Sequence, residues 1–476
     1  MKIKVCIFVA MCVLIFSLSI SAVAQTALKS TIDDQTSVEV TVYNSNLGLV
    51  KDVRKITLPQ GEGELRFMDV ASYIMPVTVH ATSLNAPDKF SVLEQNYEYD
   101  LMDANKLLDK YVGKNIKIVD WNEFQDRKEI VEAELLSNNN GQIYKINNEI
   151  YLGHPGYKVL PEIPENLIAK PTLTWLYDNS SKASQDIEVS YLTSNISWKA
   201  DYVFLINQDD TMADLSGWVS LDNRSGTTYK DAKLKLVAGE VHRAEQNVYS
   251  DVSLEAGYAP RSKAQQFQEK AFFEYHIYDL QRPTTIKNNQ TKQVSLLEAK
   301  NVKTEKEFLV YGIRTWYTRQ YMEDLPKQPV NVYIKFKNEK QNNLGMPLPA
   351  GVMRLYKEDD ANSLQFIGED NIDHTPKDEE IKLKVGEAFD IVCERKQTDF
   401  KQITTRLYET EWEVTLRNHK EEAVTVGIIE PLYGNWKVIS NSHPYDKVDA
   451  FTIRFNVKVP KDGEVKVKYR LRVGLE

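Results

Sequence analysis

The chain has 476 residues with 59 Lys and Arg against 68 Asp and Glu, a formal net charge of −9. That length buries a sizeable core and allows two to four domains. The acidic balance, with no clustered Lys/Arg face, argues against nucleic acid as a partner.

The first residues read as an export signal. Lys2 and Lys4 precede an apolar run, Val5 to Ile20, and Ala22-Val-Ala24 supplies the small residues that a signal peptidase reads. Cleavage after Ala24 makes residues 1–24 a leader and places the mature chain in the periplasm or on the surface of a bacterium. No later stretch is apolar enough to cross a bilayer as a helix. Of three cysteines, Cys6 and Cys12 leave with the leader, so Cys393 has no internal disulfide partner and is expected as a small buried strand residue.

Strand signals dominate the mature chain. Val38–Tyr43 and Glu62–Asp69 alternate apolar and polar residues, which predicts an N-terminal β domain over 25–99. Asp100–Val112 has its leucines and Tyr111 on one face and Gly113 as a stop, a short helix. Asn115–Asp120, Glu129–Leu136, Gln142–Asn147 and Glu149–Leu152 then alternate, with Ser137-Asn-Asn-Asn-Gly141 as a turn. The spacing over 100–165 resembles a small SH3-like barrel. Pro155, Pro161, Pro164 and Pro171 mark a linker.

Ile187–Leu192, Trp198–Ile206 and Leu215–Leu221 open a central β-sandwich region over 170–345, interrupted by a polar, flexible loop at 243–270. The last portion, 346–476, reads as an immunoglobulin-like sandwich without bridging cysteines, closed by a hairpin through Pro460-Lys-Asp-Gly463. The fold class expected is therefore all-β and multi-domain, mainly antiparallel sandwiches plus a small barrel, with few short helices.

Several segments, taken together, resemble a known family. Tyr191–Trp198 with Tyr202, Leu215-Ser-Gly-Trp218, Asp222-Asn-Arg-Ser-Gly226 and Leu236-Val-Ala-Gly239 form one set. Leu348-Pro-Ala-Gly351 with Arg354 and Tyr356, Gly368-Glu-Asp370, His374–Asp378 and Gly386–Asp390 form another. In this order they resemble the bacterial domain-of-unknown-function family numbered 4139, over roughly residues 170–476. The resemblance implies a fold and brings no catalytic residues with it.

Catalytic patterns fail one after another. No two of the seven histidines are three to five residues apart, so local zinc motifs are absent. There is no Gly-x-Ser-x-Gly elbow, no Gly-x-Gly-x-x-Gly and no phosphate-binding loop, so neither a nucleotide nor an organic cofactor is expected. Calcium is the one cofactor with a candidate site, the loop carrying Asp370, Asp373 and Asp378, although its spacing is not that of an EF-hand and the same charges would protect a sheet edge. Trp198, Trp218, Trp412 and Trp436 sit at strand positions and are expected in sandwich cores. Tyr311, Trp316, Tyr317 and Tyr321 lack a strand pattern and are the candidates for an exposed aromatic surface. The sequence thus points to a non-enzymatic envelope module binding a protein or a surface polymer. A glycan or peptide hydrolase with carboxylates from separate strands, and a calcium-stabilised adhesion module, are the alternatives.

Overall fold

The computed structural model describes residues 27–98, 103–122, 126–163, 170–239, 241, 267–272, 275–321, 325–359, 361 and 363–475. The export signal lies outside them, as do residues 242–266, which include most of the loop expected at 243–270. The described residues are overwhelmingly β-strand, and their only α-helix is Ala104–Asp109. The fold is all-β, built from several mainly antiparallel sheets. The described residues contain no helix long and apolar enough to cross a membrane.

The chain divides into two compact units, one up to Val38 and from Lys51 to Tyr191, the other from Glu39–Val50 and Leu192–Glu476. In the first, a four-stranded sheet runs in the order Leu28–Ser30, Gly61–Met68, Thr172–Asn179, Phe90–Glu98. Thr172–Asn179 and Phe90–Glu98 pair antiparallel, from Thr172 opposite Glu98 to Asn179 opposite Phe90. Everything described between them is thus an excursion from one sheet, not a successor to a finished domain. Beside this sheet Arg54 is fully buried, bonded to Asp52 at 2.8 Å and lying 3.6 Å over the ring of Phe67.

The excursion is the helix and a five-stranded antiparallel sheet in the order Glu149–Leu152, Ile143–Ile146, Arg127–Ser137, Asn115–Asn122, Tyr157–Val159. Asp103 caps the helix, its carboxylate accepting from the amides of Asn105 and Lys106. Leu108 and Tyr111 pack on Ile116, Ile118, Ala133, Leu135, Tyr144 and Ile146. Asn147 and Asn148 both take positive φ, 50° and 70°, and make the tight hairpin between the strands they join. The strands lie close to where alternation puts them, but the barrel does not close. The two outer strands, of four and three residues, have no ladder to each other among the described residues.

In the second unit, Ile196–Ile206 alternates strictly between buried and outward residues. It lies at the centre of a five-stranded sheet in the order Gln290–Lys303, Met212–Asn223, Ile196–Ile206, Gly351–Glu358, Leu364–Ile372. Its pairing with Gly351–Glu358 is parallel, and a Cβ at Gly351 would collide with the carbonyl of Ala200. A second layer pairs Tyr229–Ala238 in parallel with residues 39–43 and antiparallel with Tyr275–Leu280. The strand before that last one begins at Phe267, so 267–270 of the expected loop are strand.

Toward the C-terminus a six-stranded and a four-stranded sheet share one core. Val310, Val426, Ile428 and Phe455 come from the first, Trp412, Val414, Tyr469 and Leu471 from the second. This sandwich does not begin at 346. Glu305–Tyr311 and Asn331–Lys337 already belong to it, while Gly351–Glu358 and Leu364–Ile372 belong to the preceding sheet. Parallel pairing across some 150 residues leaves no local mark in a sequence.

Candidate functional site

The outward face of the central five-stranded sheet carries a polar row that crosses all five strands. Gln293 Nε2 donates to Ser220 Oγ at 3.2 Å, and that hydroxyl donates to Asp201 Oδ2 at 2.7 Å. Arg354 Nη1 donates to Asp201 Oδ1 at 3.1 Å, and its Nε lies 3.2 Å from Glu369 Oε2. Strand alternation explains the arrangement: Asp201, Ser220 and Arg354 occupy the parity opposite to buried Tyr202, Val219 and Leu355.

Apolar groups sit among these ions. Trp218 pairs with Asp201 across the ladder and is 40% exposed, and Val203 is 37% exposed. Phe366, 55% exposed, meets half-buried Tyr356 edge-on at 5.6 Å. Beside these groups, on the side of the central strand away from Tyr356, lies a depression of about 240 Å³ lined by Val203, Leu205, Asp214, Ser216, Glu298 and Lys300. The outward face of the C-terminal four-stranded sheet is quite different. There Glu409, Glu411 and Glu413 pair with Arg472, Arg470 and Lys468, each at 2.9 Å, which makes a solvated charged surface.

The small sheet of the first unit offers a second surface. Its inner face packs on the helix; its outer face leaves Trp121, Ile130, Ile150, Leu152 and Tyr157 more than half exposed, Leu152 at 84%. Register places Tyr157, Val119 and Ile130 in one cross-strand row of that face.

With this geometry in view, comparison with known families gives a match. The profile described as a domain of unknown function, DUF4139, covers residues 187–434. The chain belongs to the DUF4139 family. No curated protein matches it.

The DUF4139 region contains the whole central sheet, and the motif sets that carried the resemblance meet there. Tyr202 donates its hydroxyl to the Pro349 carbonyl at 2.8 Å, and Arg354 reaches Asp201. Trp198 donates to the Val237 carbonyl, and the Asn223 amide donates to the carbonyls of Thr227, Ile286 and Lys287. These motif residues hold sheets and turns together. The apolar face of the small sheet lies outside the DUF4139 match.

The aromatic surface expected at Tyr311, Trp316, Tyr317 and Tyr321 is not one. Tyr317 is wholly buried, Trp316 is 8% exposed, Tyr321 packs against the same core, and only Tyr311 is open, at 41%. Arg314–Thr318 forms a 3₁₀ turn that drives the two rings inward, where Trp316 stacks on Trp412 at 5.9 Å. Behind them Arg395 and Glu430 form a fully buried ion pair. Glu430 also accepts from the hydroxyls of Tyr317 and Tyr469, while Arg395 Nε donates to Gln328 Oε1 at 3.0 Å. Burial, then the Glu430 charge, raises both phenols well above the ordinary tyrosine value, so they stay neutral donors. Two donors in this cluster, Arg395 Nη2 and Trp412 Nε1, have no hydrogen-bond partner among the described residues.

The calcium loop does not assemble either. Both oxygens of Asp370 are taken by backbone amides, Oδ1 from Asn371 at 2.9 Å and Oδ2 from Lys384 at 2.7 Å. Asp373 contributes its carbonyl to Thr375, and Asp378 takes φ 68° at a turn where its amide donates to the Asn338 carbonyl. Among the described residues no group of three or more His, Cys, Asp or Glu is placed to hold a metal. Cys393 is the buried strand residue expected, and burial pushes its thiol up to about 12.

Trp198 and Trp412 are core rings as expected, and Trp436 is half-buried. Trp218 is not a core ring. A signal for it existed: in Leu215-Ser-Gly-Trp-Val-Ser-Leu221 it shares parity with Ser216 and Ser220, opposite to Leu215, Val219 and Leu221.

Proposed function

We propose that this chain is an exported, non-enzymatic module of the bacterial envelope that captures a protein partner through the outer face of its small five-stranded sheet. The observation that carries the reading is that large apolar side chains are left largely exposed at both ends of this sheet face, Trp121, Ile130 and Tyr157 at one and Ile150 and Leu152 at the other. Exposed large apolar groups gathered on one face mark association sites in proteins that otherwise cover such groups. Export rests on the N-terminal lysines, apolar run and Ala-Val-Ala sequence.

The test uses the chain from Gln25 onward and its Ile150→Asp/Leu152→Asp variant, immobilised and exposed to envelope extract from the source cells. A partner retained by the wild type and lost by the variant, with unchanged thermal melting, supports the reading. Equal retention by both, or retention by neither, removes it.

A second reading, a glycan hydrolase, draws on Asp214 and Glu298, two carboxylates from neighbouring strands that line the same depression. Asp214 already accepts the Asn301 amide at 3.0 Å and lies 3.8 Å from Lys300, which commits it to holding a bulge. Release of reducing ends from envelope glycan, abolished in Glu298→Gln, is the outcome that would favour it.

A further inference from the structure

We infer that the outward face of the central sheet binds an elongated, uncharged, hydroxyl-rich polymer, a neutral glycan chain laid across the strands from Trp218 to the Tyr356–Phe366 pair. This is independent of the protein-capture surface, which lies on a different sheet.

Three features of the face select that chemistry. The first is the placing of the rings. Trp218 stands opposite Asp201 and Tyr356 opposite Leu205, so the two aromatic positions lie four residues apart along the central strand, about 13 Å. They also sit on opposite sides of it. Val203 lies between them on the central strand and, with Leu205, lines one side of the depression, which extends toward Glu298 and Lys300. At about 240 Å³ it is below the ~300–1,000 Å³ of sites that enclose a drug-sized molecule. It suits one ring or a branch of a longer ligand whose chain rests on the indole and on Phe366. A flat aromatic face on a rigid strand buries the C–H face of a sugar ring at small entropic loss, because the indole has only two side-chain torsions.

The second feature is charge. Asp201 is matched by Arg354 on one side and Lys199, at 4.0 Å, on the other; Arg354 is matched again by Glu369, and Asp214 by Lys300. An anionic ligand would have to break these pairs to find a counter-charge, and Glu298 in the depression would repel it. An uncharged ligand leaves them intact. The third is the hydrogen-bonding inventory. Ser216, Gln293 and Ser295 are amphoteric groups on or beside the row, able both to donate to and to accept from hydroxyls.

A protein partner fits less well. Trp218 and Val203 are the exposed apolar groups at mid-sheet and are ringed by ions, whereas a protein interface wants a desolvated apolar centre. An added peptide strand would need a free sheet edge, and the central strands already spend their ladder bonds on both neighbours.

Affinity electrophoresis tests the inference. The chain from Gln25 onward is run in native gels cast with mixed-linkage β-glucan, xylan or galactomannan, and in a gel with anionic polygalacturonate. The expected result is retardation by at least one neutral polysaccharide, weakened about tenfold by Trp218→Ala. Phe366→Ala should weaken it too, and Phe389→Ala, a fully open ring elsewhere, should not. Melting curves of the variants establish that they are folded. Should Trp218→Ala fail to fold, Phe366→Ala on the exposed flank decides alone. The inference is overturned by no retardation in any neutral gel, by retardation in polygalacturonate only, by equal retardation of wild type and folded ring variants, or by a protein ligand whose binding depends on Trp218.

Discussion

Arg395 and Glu430 meet at 2.5 Å with both side chains wholly enclosed, 35 residues apart in sequence and on facing sheets of the C-terminal sandwich. The guanidinium also lies 5.0 Å over Trp316, so the 3₁₀ turn is fastened by charge as well as by packing. Burial alone would lower the Arg395 pKa, but the charge of Glu430 raises it above the ordinary value, so the pair stays ionised. Removing one partner strands the other as a buried charge. Glu430→Ala or Arg395→Ala is therefore expected to lower stability by about 3–5 kcal/mol. Tyr317→Phe, which removes one hydroxyl donor from a carboxylate, is expected to lower it by about 1.5–3 kcal/mol. Urea titration with an unchanged slope measures both, and a Glu430→Ala loss under about 1 kcal/mol would count against a buried ion pair.

Gly312 sits against the same carboxylate. A Cβ there would overlap Glu430 Oε2 and come within 2.8 Å of the Tyr317 hydroxyl. An exposed glutamate could swing aside, but this one is held by Arg395, Tyr317 and Tyr469. Gly312→Ala should thus destabilise by roughly 1–3 kcal/mol through overpacking. Gly386→Ala, whose Cβ would meet nothing within 4 Å, should change stability by less than about 0.5 kcal/mol. Equal effects in a denaturation series would show that the Gly312 contact relaxes freely.

The surroundings of Gly312 also mark how far the sequence could be read. Alternation alone locates strands such as Ile196–Ile206 and Gln185–Ser194, because a strand buried on one face must repeat every two residues. Local signals also locate the helix capped at Asp103 and the hairpin at Pro460–Gly463. Trp316 and Tyr317 misled because a five-residue 3₁₀ turn has no period, and what buries them, Trp412, Arg395 and Glu430, arrives from 79 to 113 positions away. The barrel misled differently. Strand spacing is local, whereas closure is a relation between the first and last strands, and Glu149–Leu152 and Tyr157–Val159 are too short to wrap to each other. Trp218 was legible by parity, but composition draws attention to a tryptophan as core before its neighbours are counted.

Cys393 is the only thiol in the chain from Gln25 onward. It is completely buried, with its sulfur 4.0 Å from Gln328 Oε1. Burial is the largest influence on it, and the thiol is pushed up to about 12 despite the opposing charge of Arg395. The thiolate is the reactive form, so the folded protein at pH 8 should release no chromophore from an aromatic disulfide reagent over an hour. One equivalent should appear at once in denaturant. Full reaction of the native protein would mean that the sandwich opens on that timescale, and would contradict a thiol locked in the shared core.

His374 makes the stability of this region depend on pH with a definite sign. Its Nδ1 accepts the Ala350 amide at 3.1 Å, beside the bridge that joins Leu348 to Thr375. Although much of the residue is exposed, desolvation of the ring is the largest cause lowering its pKa below 6.5; the charge of His276 adds to it and Asp373 opposes. As pH falls through 6.5, the unfolded chain takes up a proton that the folded chain refuses, so stability drops from there down to the folded-state value and is flat above. Protonation also removes the acceptor that holds the Ala350 amide. Melting temperature should therefore fall between pH 7.5 and 5.5, and His374→Gln should flatten that part of the profile while leaving the decline at lower pH, where carboxylates such as Glu307 and Asp210 lose their charge. Those two are held below the ordinary range against the effect of burial, Glu307 by Lys382 and Arg454 and Asp210 by Lys306 and Lys357, so their contribution is present at neutral pH and is lost only as pH drops through their lowered values. A profile unchanged by His374→Gln between pH 7.5 and 5.5 would show that the Ala350 bond does not depend on the neutral ring.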